Sequence, residues 1–119
     1  MGSITFEQNG AYGGYITFIT NVISGKFSGS SSFCISKSLL NDAIETLCKM
    51  YNELKGIYQM NDYDSDDFVL FEFMQRGHLK ISGQVGGSHC NQYLVYEFMT
   101  DQTALCEIIS SFRKMISEC

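Results

Sequence analysis

Apolar and polar positions alternate with a period of two along most of this chain, and twice the spacing switches to that of a helix. Ile4 to Asn9 alternates, Gly10 to Gly14 carries three glycines, and Tyr15 to Val22 is rich in strand-forming residues, which predicts an opening hairpin. A tight turn at Ser24-Gly25 leads into a third strand, Lys26 to Ile35. Its serine-rich middle, Ser28 to Ser32, packs poorly and predicts an edge position or a bulge. Leu40, Ala43, Ile44, Leu47, Tyr51 and Leu54 then recur along one helical stripe, with Ser36 or Ser38 as the cap and Gly56 as the stop.

From Ile57 the period of two returns. Ile57 to Asn61 predicts a strand that Asp62-Tyr63-Asp64-Ser65-Asp66 turns back into the next one, Phe68 to Met74. Gln75-Arg76-Gly77 turns the chain once more into Leu79 to Val85, with glycine in the left-handed position. That three-residue loop sets Glu72 opposite Lys80 as a solvent-side pair and sends Val69, Phe71 and Phe73 into a core. Gly86-Gly87-Ser88 loosens the chain before a last strand, Gln92 to Met99. Asp101 then caps a helix whose buried face is Leu105, Ile108, Ile109, Phe112 and Ile116.

The order βββα-ββββα predicts an α+β fold: one mostly antiparallel sheet of about six or seven strands with both helices on one face, which buries both stripes. The stretches 4–54 and 69–119 align without a gap when Phe6 is laid on Phe71, with identities that include Ile16/Ile81, Phe33/Phe98, Leu40/Leu105 and Met50/Met115. An internal duplication would explain this, and so would two βββα units of similar length that align by construction. With 119 residues, 45% of them hydrophobic, the chain has enough apolar material for one domain around one core.

Composition narrows function mainly by exclusion. No apolar run reaches the length of a membrane span and MGSITFEQNG lacks the features of a signal peptide, so the cytoplasm is the expected location. Five cysteines without regular spacing are expected to be reduced thiols, with Cys34, Cys48 and Cys106 packed as small hydrophobes. A net charge of -5, with eight scattered Lys and Arg, argues against nucleic acid, whose phosphates need a basic face. A basic protein is the better match.

Candidate chemistry is sparse. His89-Cys90, with His78, raises a metal site or a thiol nucleophile, but no CxxC or HxxxH spacing supports the first. Adjacency on a loop does not place an imidazole against a thiol either, so no catalytic residue, metal or cofactor is expected. Asp62, Asp64, Asp66 and Asp67 have the composition of a calcium loop without its central glycine or twelfth-position glutamate; they read as a solvated turn, or as an acidic rim for a basic partner. Glu7, Glu72 and Glu97 are expected to share an uncovered sheet face with Lys80. Tyr93 and Val95 beside Met99 are expected to leave apolar side chains on that open side, a surface for a partner or for a homodimer.

Gly77-His78-Leu79-Lys80-Ile81-Ser82-Gly83, then Tyr96-Glu97-Phe98 and Thr100-Asp101-Gln102-Thr103-Ala104-Leu105, give the chain a resemblance to the WapI-family immunity proteins. The shared pattern is a GH strand ending in SG, followed by F-x-x-DQT-x-L at a helix start. The likeness runs from about Leu54-Lys55-Gly56 onward, and the glycine- and serine-rich first half departs from it. It implies a small antiparallel-sheet domain and a cytoplasmic antidote that binds a cognate toxin's C-terminal domain without catalysis. Such toxins are commonly nucleases with basic grooves, which an acidic inhibitor would occupy as a phosphate mimic. The expected interface residues are Asp62, Asp64, Asp66, Asp67, Glu72, Tyr93 and Glu97, while Asp101 is read as a structural helix cap.

Overall fold

A computed structural model describes residues 2–89 and 91–117. Its elements run β1 (Gly2–Tyr12), β2 (Tyr15–Ser24), β3 (Phe27–Ser36), α1 (Lys37–Glu53), β4 (Ile57–Asn61), β5 (Phe68–Phe73), β6 (Leu79–Val85), β7 (Leu94–Thr100) and α2 (Gln102–Ser117). All strand pairs are antiparallel neighbours in sequence. They form two sheets, β1-β2-β3 and β4-β5-β6-β7, where the pattern predicts one sheet of six or seven strands.

The division has a local cause at β3, which is the edge strand that its serines predict. Where a further strand would pair, the Cys34 amide instead donates to Asp62 Oδ1 at 2.7 Å, and the Tyr63 amide donates to the Cys34 carbonyl at 2.9 Å. The loop between β4 and β5 therefore closes the free edge of β3. Contacts along β3 follow the ends of the second sheet in turn: Gly29 lies against Val85 and Leu94, Ser31 Oγ donates to Asp67 Oδ2 at 3.1 Å, and Cys34 meets Asp62. Conversely, β7 passes the end of the first sheet, where Ser24 Oγ donates to the Glu97 carbonyl at 3.2 Å. The crossing is close at Gly29, where a Cβ would sit 3.1 Å from Val85 Cγ2. The bulge falls in β1, between Gln8 and Gly10, and not in β3.

Both helices pack on each other and against the inner faces of the sheets, enclosing one core. Phe18, Phe33, Phe71, Phe112, Ile16, Leu40 and Leu47 are fully enclosed in it. Ser36 caps α1 by accepting from the Leu39 amide at 3.1 Å. Leu54, which the helical spacing puts on the buried stripe, instead ends α1 in the left-handed conformation (φ 54°) and is exposed. Met115 is buried on α2, and Ile116 beside it only half-buried. Asp101 Oδ1 accepts from the Ala104 amide at 3.2 Å, the cap expected from sequence. Asp101→Ala is expected to cost about 1 kcal/mol, read as a lower urea midpoint with an unchanged slope.

When Phe6 is laid on Phe71, buried positions coincide through both halves: Ile16 with Ile81, Phe33 with Phe98, Leu47 with Phe112, Met50 with Met115. The registers do not. Phe6 lies opposite Thr20 whereas Phe71 lies opposite Ile81, and Phe18 lies opposite Phe33 whereas Gly83 lies opposite Tyr96. Each difference is an even number of residues, so every side chain keeps its face while it changes its neighbour.

Candidate interaction surface

The four aspartates between β4 and β5 fall into two kinds. Asp62 and Asp67 are buried. Asp62 holds Cys34 through Oδ1 and accepts from Ser65 Oγ through Oδ2 at 2.6 Å. Asp67 accepts from Ser31 Oγ and the Gly86 amide on Oδ2, each at 3.1 Å, and from Gln84 Nε2 at 3.1 Å and the Gly87 amide at 2.8 Å on Oδ1. These two carboxylates tie the β4–β5 loop to β3 and to the turn after β6. Asp64 and Asp66 are exposed, and they are the members of the cluster that a partner would meet.

Asp66 accepts from Ser88 Oγ, from the Ser88 amide at 3.0 Å and from Gln84 Nε2 at 2.8 Å. The Ser88 bonds first, and then that of Gln84, hold its carboxyl below the usual aspartate range. A carboxyl whose pKa is lower folded than unfolded adds stability above its unfolded pKa and loses it as the pH falls through the folded one. Acid titration from about pH 5 downward is therefore expected to lower the melting temperature less in Asp66→Asn than in the parent. The Asp66 side-chain signal in a carbon-13 titration should have its midpoint below that of a free aspartate.

The outer face of the second sheet carries the other candidates. Lys80 Nζ lies 3.4 Å from Glu72 Oε1 and 4.0 Å from Glu97 Oε1, so the cross-strand pair read from the hairpin extends to a third strand. Half-exposed ion pairs of this kind contribute under about 1 kcal/mol. Two carboxylates on one ammonium leave this row negative. Glu7 is elsewhere, exposed on β1 opposite Ile19. Val95 (65% exposed) and Met99 stand out from β7, Ile57 stands out from β4, and Tyr93 is exposed just before β7. Phe27, 68% exposed, adds to them from the first sheet: it lines a shallow cleft of about 640 Å³ with Lys26, Glu97 and Met99, and another of about 370 Å³ with Tyr93 and Leu94. The alternating pattern gives Phe27 no part in the second sheet's face, because the crossing of the sheets brings it there.

His78 and His89 are exposed, while Cys90 and Cys119 lie outside the described residues. Cys34 is half-buried, and burial first, then Asp64 and Asp62, push its thiol up. Cys48 is half-buried and accepts from Arg113 Nη2 at 2.9 Å. Cys106 is exposed on α2 and is not the packed residue that its helical position predicts. Among the described residues, no three His, Cys, Asp or Glu side chains gather in a metal-holding group. No described helix is long and apolar enough to cross a membrane. Neither a scan against protein-family models nor a search of curated proteins returns a match for this chain.

Proposed function

We propose that this chain is a non-catalytic binding protein, an antidote that acts in the cytoplasm by docking on a basic toxin domain and occluding it. The observation that carries the reading is the uncovered outer face of the four-stranded sheet. There Ile57, Val95 and Met99 project beside Glu72, Lys80 and Glu97, on a sheet whose inner face already serves the core. Exposed aliphatic and aromatic side chains gathered within an acidic frame are the composition of a protein-binding surface. Asp64 and Asp66 extend the negative charge at the loop end, where they would meet a phosphate-binding groove. The likeness of residues 77–83 and 98–105 to WapI-family immunity proteins supports the same reading.

The test is co-expression with the toxin C-terminal domain encoded immediately upstream in the source genome, scored for growth rescue and for a stable complex. Val95→Arg with Met99→Arg is expected to weaken that complex at least tenfold, because each puts a positive charge before a basic partner and removes an apolar contact. Both positions are exposed, so stability should stay within about 0.5 kcal/mol. An active toxin that the parent protein neither binds nor neutralises would sink the reading. A second reading, self-association, draws on the position of Val95 and Met99 on β7, an edge strand of its sheet. Sedimentation showing a dimer that the same two substitutions dissolve would favour it.

A further inference from the structure

Three tyrosines gather at the far end of the first sheet, beside Asp64 and away from the outer face of the second sheet. Tyr12 and Tyr15 are paired directly across the two-residue turn between β1 and β2, so their side chains leave the same face. The Tyr63 ring lies against that of Tyr15, with centroids 5.2 Å apart and planes at 42°. Tyr12 is 88% exposed, Tyr63 70% and Tyr15 36%. The sheet does not need these rings for its core, and yet those of Tyr15 and Tyr63 rest on each other. Tyr63 is fixed through its amide to the Cys34 carbonyl, and the buried Asp62 carboxylate beside it clamps the Cys34 amide.

Charge completes the corner. Asp64 follows Tyr63 and is exposed, and the fields of Asp64 and Asp62 both reach Cys34 on the neighbouring strand. Lys37 begins α1 nearby, its amide donating to the Gly14 carbonyl at 2.9 Å. Aromatic faces beside a carboxylate attract a cation twice over, by the ring quadrupole and by Coulomb attraction. A planar guanidinium suits tilted rings better than a compact ammonium, because it stacks as well as pairs. Tyrosines with few rotatable bonds also lose little entropy on contact.

We propose that Tyr12, Tyr15, Tyr63 and Asp64 form a preformed receptor for an arginine side chain presented by a basic protein. The site stands on this geometry alone; only the identification of that protein with a toxin rests on the function proposed above.

The test is a nitrogen-15 NMR titration of the whole chain with a blocked arginine hexapeptide and, separately, a lysine hexapeptide. Saturable shifts are expected at residues 12, 15, 63 and 64, with arginine binding about threefold tighter than lysine. Tyr63→Ala and Asp64→Asn should each weaken arginine binding about fivefold while signals elsewhere stay in place. Absence of binding, shifts spread evenly over helix carboxylates such as Glu45, Glu53 and Glu107, or unchanged affinity in Tyr63→Ala would each overturn the proposal. Failure of the growth rescue would remove the antidote reading and leave the peptide result standing.

Discussion

Replacing Asp67 by alanine is expected to lower the stability of this protein by about 4 kcal/mol. Four donors converge on that carboxylate: Ser31 Oγ from the first sheet, Gln84 Nε2 from β6, and the amides of Gly86 and Gly87 in the turn beyond it. Alanine leaves Ser31 Oγ and the two glycine amides without that acceptor, and Gln84 with Asp66 alone, in a place where the parent side chain is only 3% exposed. A buried donor stripped of its partner costs about 1–3 kcal/mol, and relief of the carboxylate's own desolvation offsets part of the sum. Small domains are stable by about 5–15 kcal/mol, so a loss of about 4 kcal/mol should lower the melting temperature substantially.

Asparagine separates the loss of hydrogen bonds from the loss of volume. Its carbonyl keeps one acceptor, while its amide turns two hydrogens toward donors, so Asp67→Asn should cost about half as much as alanine. Hydrogen exchange supplies the local check. The Gly86 and Gly87 amides should lose protection in both variants, before β2 or α2 opens. If those two amides exchange as in the parent, the carboxylate is not what holds the turn.

The same carboxylates show why part of the fold is legible in the sequence and part is not. The hairpins and helices rest on local signals: alternation in Phe68 to Phe73, the stripe of Leu40, Ala43 and Leu47, the caps at Ser36 and Asp101. These act within a few residues, so the sequence displays them directly. The split into two sheets rests on Asp62 reaching Cys34, 28 positions away in the chain. Composition marks Asp62-Tyr63-Asp64-Ser65-Asp66 as a solvated turn, and nothing in a run of polar residues tells which carboxylates face inward. Leu54 obeys the helical spacing but falls where the backbone leaves the helix. In the candidate surface, Glu72, Lys80 and Glu97 follow from register, whereas Phe27 and the Tyr15–Tyr63 contact depend on how the sheets cross.

Gly83→Ala is expected to cost about 3 kcal/mol, although it adds a single methyl group to a residue in the middle of a strand. Gly83 lies between Val69 and Tyr96 in the second sheet. A Cβ there would run into the Phe68 carbonyl oxygen and would stand 2.6 Å from Tyr96 Oη and 2.9 Å from its Cζ. The carbonyl belongs to a paired strand and cannot swing away, so the adjustment falls on Tyr96, a buried residue whose ring stacks near Phe98 at 6.2 Å. The phenol thus fills the space that the glycine leaves, as an aromatic neighbour does at other strand glycines. In the gapless alignment Phe18 falls on Gly83, but there it lies opposite Phe33 and stacks on it, so the first half has two facing rings where the second has one ring and a glycine. Gly83→Phe, which would put a ring against both the Phe68 carbonyl and Tyr96, should prevent folding. A double-mutant cycle checks the coupling: in a Tyr96→Phe background, which removes the nearest side-chain atom, Gly83→Ala should cost about 1 kcal/mol less. Equal cost in both backgrounds would place the strain at the Phe68 carbonyl alone, and a cost under 0.5 kcal/mol would mean that the ring does not occupy the glycine's space.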